Sequence, residues 1–237
     1  MPVELMIVDE DAEVRGALRR AMEGEGYDVS EAERAAAALS RLRSNGAPDV
    51  MIVELMFGDM DGFDCIREIR RDHDVPIIVI SSRDDTHDVV AALEAGADDY
   101  VTKPFEIKEI SARMRALRRR ARLTADRESG TREVVLESDA EIPLILDRDG
   151  GAVRRGDEEI RLTITEFRLL CELAETPGRV LSRDVLLERV WDEGFFGDER
   201  IVDVHMRRLR TKIERDPSAP SLVVTVRGLG YRLDIQR

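Results

Sequence analysis

Five reactive side chains each follow a short apolar run in the first half of the chain. They are Asp9, Glu10, Glu54, Ser81 and Lys103. Carboxylates that converge repel each other unless a cation neutralises them. Oxygen ligands with room for water suit Mg²⁺, and a hydroxyl beside an ammonium group suits an incoming phosphoryl group. The set therefore predicts phosphoryl-transfer chemistry, provided that the fold brings these residues together.

The apolar runs are typical of strands buried on both faces of a parallel sheet. They cover residues 5–8, 27–30, 50–53, 76–80 and 99–101, and helical stretches lie between them at 13–25, 32–44, 61–72, 86–95 and 106–120. This alternation predicts an α/β domain with a doubly wound, five-stranded parallel sheet. Ligands of such sheets bind at the carboxyl ends of the strands. Polar residues end most strands, but so many reactive types at one edge favour a functional site.

The same half of the chain resembles the receiver domain of bacterial response regulators, which has a flavodoxin-like fold. The resemblance covers residues 3–120 and is carried by the segments PDVMIVELMFGDMDGFDCIREIR, VPIIVISSRDD and GADDYVTKPF. It implies that a partner histidine kinase transfers a phosphoryl group to a strand-end Asp with the help of Mg²⁺.

The resemblance also assigns roles to the residues of the pocket. The implied metal ligands are Asp9, Glu10, Glu54 and the carbonyl of Met56; the phosphoacceptor position is Glu54; and the switch residues are Ser81, Tyr100 and the phosphate-facing Lys103. A cis peptide bond before Pro104 is implied as well.

Two positions depart from the receiver pattern, because Glu10 and Glu54 stand where the family has Asp. Gly58 and Asp59 also replace the usual Pro and Gly of the adjoining loop. An extra methylene moves a carboxylate by about 1 Å, and such a misplacement can cost about a hundredfold in rate. We therefore predict a receiver with weakened Mg²⁺ binding that is not switched by aspartyl phosphorylation and rests in an active-like state. The alternative that Glu54 is an engineered or neutral replacement in a kinase-controlled regulator stays open.

Charge is divided unequally along the chain. The formal net charge is −13, of which residues 1–112 carry −14 and residues 113–237 carry +1. Such an asymmetry predicts two domains with different partners. We place a receiver at residues 1–122, a linker at 123–132, and a second domain at 133–237.

The second domain contains a long helix at residues 199–215, in which six bases and three acids surround an apolar side. Arginine contacts phosphates for register and guanine edges for sequence, so this composition suits a helix that reads the major groove. A basic helix face alone is more often only a solvated surface. Here a helix and a loop precede the basic helix in the sequence, and a hairpin with an arginine flanked by glycine follows it. This order favours the DNA-binding interpretation.

This order resembles the α+β winged helix-turn-helix of the OmpR/PhoB class of response regulators. The resemblance rests on LTITEFRLL, RVLSRDVLLERVW, RIVDVHMRRLRTKI and TVRGLGYRL. It implies a transcription regulator that binds double-stranded DNA, as a dimer on direct repeats, and meets RNA polymerase through residues 192–198. The implied base contacts are Val204, His205 and Arg208, the phosphate contacts are Arg200, Arg207, Arg210 and Lys212, and the wing contact in the minor groove is Arg227. Tyr231 and Trp191 are expected to be buried.

A dimer is implied through the receiver, with acids of one subunit meeting bases of the other. The expected face consists of Glu94, Asp98, Asp99, Glu109, Arg113, Arg115, Arg118 and Arg119. Exposed opposite charges more often form only a solvated surface, worth up to about 1 kcal/mol per pair.

Other classes of protein fit the sequence less well. The chain has no apolar run of bilayer length and no signal-peptide layout at its start, and its two cysteines, Cys65 and Cys171, lie far apart. These features predict a cytoplasmic protein. A Mg²⁺-dependent phosphoryl-transfer enzyme is an alternative without a recognisable motif, because Met56 stands where phosphatases with an Asp nucleophile usually have a second Asp. A pure interaction module with an inert second domain is the remaining alternative.

Overall fold

The structure is a computed structural model that describes residues 2–123, 133–138, 142–191 and 199–236, with the backbone alone at 116 and 118–123. The chain divides into two compact units, Met1–Arg115 and Ala116–Arg237. Apart from Leu123, the predicted linker at 123–132 lies outside the described residues, so the predicted domain boundaries stay a prediction.

The first unit contains a parallel sheet of five strands in the order β2-β1-β3-β4-β5. The strands are β1 (Val3–Val8), β2 (Tyr27–Ala32), β3 (Val50–Val53), β4 (Ile77–Ser81) and β5 (Asp99–Thr102). The helices that alternate with them are α1 (Ala12–Gly24), α2 (Ala35–Asn45), α3 (Gly62–Asp72), α4 (Thr86–Ala95) and α5 (Ile107–Leu123). The predicted doubly wound α/β fold is confirmed.

Two of the central strands are buried along their whole length, as the apolar runs predict. All residues of β3 and β4 are buried, because helices cover both faces of a doubly wound parallel sheet. In register, Val8 lies beside Val53 and Ser81 lies beside Thr102. The charged residues that follow these strands therefore reach the same edge of the sheet.

Aspartate side chains begin three of the helices at this edge. Asp11 accepts hydrogen bonds from the backbone N–H groups at the start of α1, and Asp61 and Asp85 do the same for α3 and α4. A cap of this kind stabilises a helix by about 1 kcal/mol. The caps thus fix the positions at which these three helices begin.

The second unit is an α+β fold with strand order β6-β7-β8-β9 in an antiparallel sheet. Its strands are β6 (Glu133–Glu137), β7 (Leu144–Asp147), β8 (Ala152–Arg155), β9 (Glu158–Ile160), β10 (Val223–Val226) and β11 (Gly230–Leu233). Its helices are α6 (Ile164–Glu175), α7 (Arg183–Trp191) and α8 (Arg200–Ile213). The last two strands form an antiparallel hairpin, so the predicted winged-helix architecture is confirmed.

The hairpin is attached to the turn before α7 by backbone hydrogen bonds. Leu181 N–H donates to the Tyr231 carbonyl at 2.8 Å, and Tyr231 N–H donates to the Leu181 carbonyl at 2.9 Å. Gly230 makes this approach possible, because a Cβ there would lie 2.0 Å from the Leu181 carbonyl oxygen. The wing is therefore fixed to the helices. Within the described part of the chain, no helix is long and apolar enough to cross a bilayer.

Candidate phosphate pocket and nucleic-acid interface

The Lys103 ammonium joins two carboxylates at the carboxyl edge of the sheet. Its Nζ lies 2.8 Å from Asp9 Oδ2 and 2.5 Å from Glu54 Oε2. Burial by itself lowers the pKa of Lys103, but the hydrogen bonds to Asp9 and Glu54 outweigh it and the pKa is raised. The structure thus brings Asp9, Glu54 and Lys103 together, and Lys103 stays charged across the neutral pH range.

The carboxylates of Glu54 and Asp9 are buried and have further donors within the protein. Glu54 Oε1 accepts hydrogen bonds from the N–H of Leu55 at 2.6 Å and from the N–H of Met56 at 3.2 Å. Asp9 Oδ1 accepts from the N–H of Asp11 at 2.8 Å. The extra methylene of Glu54 therefore turns one oxygen back onto its own loop and the other onto Lys103.

Glu10 has a different partner. Its Oε1 accepts a hydrogen bond from the N–H of Gly58 in the loop between β3 and α3. A Cβ at position 58 would lie 3.2 Å from the same oxygen, a distance that would force the carboxylate to move. The atypical Glu10 and the atypical Gly58 therefore fit each other. Asp59 in the same loop accepts from the N–H of Ala36 at 3.1 Å and so ties the loop to α2.

Receiver domains generally bind Mg²⁺, and here every carboxylate that would hold the ion is hydrogen-bonded within the protein. Mg²⁺ needs a near-octahedral shell of oxygen ligands. The oxygens of Asp9 and Glu54 that face the pocket are bound to an ammonium group, and Glu10 is bound to a backbone N–H. Among the described residues, no three Asp, Glu, His or Cys side chains lie close enough together to hold a metal ion.

The predicted switch residues lie beside this pocket. Ser81 is fully buried, and its hydroxyl accepts a hydrogen bond from the N–H of Arg83 at 3.5 Å. Tyr100 is buried, and its hydroxyl donates to the Arg83 carbonyl at 2.5 Å. Burial raises the pKa of Tyr100 to about 12. The peptide bond between Lys103 and Pro104 is cis, as predicted.

In the second unit, α8 presents a narrower exposed face than the sequence predicts. Arg200, Arg207 and Thr211 are exposed, and their spacing places them on one side of the helix. Thr211 was not among the predicted contacts. The position of the Thr211 hydroxyl on the same helix face as Arg207 is the sequence signal that could have identified this residue.

Two predicted DNA contacts of α8 are paired with a buried carboxylate of α6. Lys212 Nζ donates to Glu166 Oε2 at 2.7 Å, and Arg208 Nη2 lies 3.0 Å from Glu166 Oε1. The second contact is an ion pair without the alignment of a hydrogen bond. Sequence reasoning missed Glu166, although Thr163 and Glu166 have the spacing of a capping box.

The guanidinium of Arg210 is directed to the wing hairpin. Its Nε donates to the Val223 carbonyl at 2.7 Å, and its Nη2 donates to Thr225 Oγ1 at 2.7 Å. Its guanidinium also lies over the Tyr231 ring at 5.4 Å. Burial lowers the pKa of Arg210. Arg210 thus joins α8 to the wing, and its role as a phosphate contact stays a prediction.

Val204 and His205 are buried, which corrects the prediction that both are available for base contacts. His205 has no exposed surface, and its ring centroid lies 5.4 Å from that of Trp191. A side chain in this position cannot reach a base edge. Trp191 and Tyr231 are buried as predicted, and the Tyr231 hydroxyl donates to Asp203 at 2.6 Å.

The wing tip is exposed. Arg227 and Leu229 flank Gly228, which has a φ of +74°, a backbone conformation that glycine adopts without a Cβ penalty. The Arg227 side chain is therefore accessible to a ligand that binds the second unit. The loop at 192–198, predicted to face RNA polymerase, lies outside the described residues.

Several residues of the predicted dimer face form ion pairs within the subunit. Asp98 is fully buried and accepts from Arg70 at 2.8 Å, so its place on that face was wrongly predicted. Asp99 is buried as well, and Arg113 binds both Asp99 and Glu109, at 2.9 and 2.7 Å. The remaining predicted members are Glu94 and Arg115, which are exposed, and Arg118 and Arg119, whose side chains are not described.

Comparisons with known proteins agree with both halves of this interpretation. Residues 5–115 match the family described as response regulator receiver domain, and residues 157–233 match the family described as transcriptional regulatory protein, C terminal. The chain is 43% identical over 234 residues to the transcriptional regulatory protein AfsQ1 of Streptomyces coelicolor, with 99% of each chain covered.

Two further relatives cover nearly the whole chain. The DNA-binding response regulator MtrA of Mycobacterium tuberculosis is 41% identical over 235 residues, covering 98% of this chain and 97% of that protein. A solved structure of a RitR variant superimposes with a TM-score of 0.73 at 27% identity, covering 98% of this chain and 99% of that one. The family is regulatory and not enzymatic, so the phosphoryl-transfer enzyme has no support. The chain belongs to the DNA-binding response regulators of two-component systems, of the OmpR/PhoB type.

Proposed function

We propose that this protein is a dimeric transcription regulator that binds direct-repeat DNA sites and whose receiver is not controlled by aspartyl phosphorylation. The observation that carries the second part is the Lys103 ammonium held between Asp9 and Glu54. Two buried carboxylates and one ammonium group satisfy each other within the protein. A metal ion and a phosphoryl group would have to break this arrangement before they could bind.

The active-like resting state is supported by Tyr100. Its side chain is buried, and its hydroxyl donates to the Arg83 carbonyl in the loop that follows β4. This loop also contacts Ser81 through the N–H of Arg83. The switch side chains Ser81 and Tyr100 therefore have hydrogen-bond partners within the receiver itself.

Treatment with acetyl phosphate and Mg²⁺, followed by intact-mass measurement, tests this part of the proposal. We expect no gain of mass in the unchanged chain. The double variant Glu10→Asp, Glu54→Asp serves as the control and should gain one phosphoryl group. A stoichiometric gain on residue 54 of the unchanged chain contradicts the proposal.

The contact between Glu10 and Gly58 argues against Glu54 being a single engineered change. The N–H of Gly58 binds Glu10, and a side chain at 58 would crowd it. Replacement of residue 54 alone would not produce this second pair. We therefore propose that several positions of the pocket have changed together.

For DNA binding we propose phosphate contacts from Arg200 and Arg207, a wing contact from Arg227, and a base contact from Arg208. The first three are exposed on α8 and at the wing tip. Each neutralised phosphate contributes about −0.9 to the slope of log affinity against log salt. The affinity for a duplex selected from random sequences should therefore fall steeply with salt, and Arg207→Ala should reduce the slope by about 1. A flat salt response would favour the inert interaction module.

We also propose that the protein acts in the cytoplasm, contacts RNA polymerase and is controlled weakly or not at all by a histidine kinase. We further propose that it forms a homodimer through the receiver face. Charge reversal of the exposed Glu94 should weaken the dimer in sedimentation equilibrium. Charge reversal of Arg41, an exposed residue of α2, is the control and should not. Equal dimerisation of both variants and the unchanged chain would remove this face from the proposal.

A further inference from the structure

The carboxylate of Glu166 is the most deeply buried charged group next to the DNA-binding helix. Glu166 has no exposed surface and lies in the first turn of α6, where its Oε2 also accepts from the N–H of Thr163 at 2.9 Å. Thr163 Oγ1 in turn accepts from the N–H of Glu166 at 3.4 Å. The capping box thus fixes the position of this carboxylate.

Two cations of α8 converge on this fixed charge from successive turns of the helix. The Lys212 side chain is 30% exposed and the Arg208 side chain is 13% exposed. A charged hydrogen bond to a buried carboxylate holds an ammonium group more strongly than a solvated surface pair. Lys212 therefore cannot follow phosphates on a duplex as freely as the exposed arginines of the same helix. The ion pair at 3.0 Å restrains Arg208 as well.

We propose that Glu166 is a positioning residue that sets DNA specificity. It withholds the charge of Lys212 from phosphates and fixes the orientation of Arg208 toward base edges. Affinity for random DNA comes almost wholly from cations that neutralise phosphates, whereas discrimination between sequences requires a guanidinium held in one geometry. Glu166 therefore lowers the affinity for random DNA and supports discrimination between sequences. This inference rests on the proposed DNA binding.

The variant Glu166→Gln in the full chain tests the proposal by its affinity for the selected duplex and for a scrambled duplex of equal length. We expect binding to the scrambled duplex to become tighter, with a salt slope steeper by up to about 1.8 because two cations are released. The ratio of specific to random affinity should fall about tenfold, the loss expected when one oriented arginine contact is disturbed. An unchanged ratio, or parallel losses on both duplexes, overturns the proposal.

Glu172→Gln is the matched control. It removes a carboxylate from the same helix and changes the net charge equally, but Glu172 pairs with Arg189 at 3.4 Å and not with α8. It should leave both affinities and the salt slope unchanged, and a specificity loss equal to that of Glu166→Gln would overturn the proposal.

Lys212→Gln keeps the proposal testable if Glu166→Gln does not fold. Because Lys212 is bound to Glu166, its loss should leave the salt slope of the otherwise unchanged chain as it was. A slope that becomes shallower by about 0.9 would identify Lys212 as a phosphate contact and overturn the inference. If the unchanged chain itself shows no salt-sensitive binding to any duplex, the proposed function fails instead.

Discussion

The side chain of Lys103 lies between two carboxylates that have almost no contact with solvent. Removing one partner of a buried ion pair costs about 3–5 kcal/mol, because the remaining charge is left without compensation. Lys103 keeps 21% of its side chain exposed, so we expect the lower end of this range. The pocket is therefore a structural element of the receiver as well as a candidate functional site.

The variant Lys103→Met should destabilise the first unit by about 3 kcal/mol at neutral pH. Urea unfolding followed by far-UV circular dichroism measures this. The fluorescence of Trp191, the only tryptophan, identifies the transition of the second unit separately. Lys108→Met, at an exposed position, is the control and should stay within about 0.5 kcal/mol of the unchanged chain. Equal stability of the two variants would show that the ion pairs contribute nothing.

The raised pKa of Lys103 gives this contribution a definite pH dependence. A lysine whose pKa is higher in the folded state contributes stability below its unfolded pKa, about 10.4, and loses it as pH rises through the folded value. The stability difference between the unchanged chain and Lys103→Met should thus be constant in the neutral range up to about pH 10 and shrink above it.

The loop between β3 and α3 shows how atypical residues fit each other. Gly58→Ala places a Cβ 3.2 Å from Glu10 Oε1, so the carboxylate must move and the hydrogen bond from residue 58 weakens. We expect this change to destabilise the chain more in the presence of Glu10 than in the presence of Asp at position 10. A double-mutant cycle should give a coupling free energy on the order of 0.5 kcal/mol. Strict additivity would contradict the fit between the two residues.

The wing hairpin depends on one glycine. Gly230 has a φ of +142°, and a Cβ added to it would lie 2.0 Å from the Leu181 carbonyl oxygen. Gly230→Ala should therefore displace the hairpin, lower stability by more than about 2 kcal/mol and weaken DNA binding. Gly228→Ala is the control, because a Cβ there meets open space and only the backbone strain of about 1 kcal/mol applies. Similar unfolding midpoints for the two variants, read by Trp191 fluorescence, would contradict this.

The helices and strands could be predicted because apolar periodicity and capping residues act locally. The gathering of Asp9, Glu54 and Lys103 also followed from strand ends at one edge of a parallel sheet. The pairing of Arg208 and Lys212 with Glu166 could not be predicted, because it depends on how α6 and α8 pack. For the same reason the burial of His205, which the family resemblance implied to be a base contact, could not be predicted.

The unequal distribution of charge along the chain indicates that its two units have different partners. Residues 1–112 are acidic and contain the pocket. The almost neutral residues 113–237 contain the arginines that we propose to contact DNA. Since steering toward DNA depends on local positive charge and not on net charge, a protein with a net charge of −13 can still bind a duplex. The same division allowed the two domains to be predicted before their folds were known.

The affinity of the full chain for its selected duplex, measured with and without acetyl phosphate and Mg²⁺, tests the central claim most directly. We expect strong, salt-sensitive binding by the untreated protein, which the treatment leaves unchanged. The Glu10→Asp, Glu54→Asp variant should respond to the treatment. Weak binding by untreated protein that rises severalfold on treatment, together with a phosphoryl group on Glu54, would contradict it.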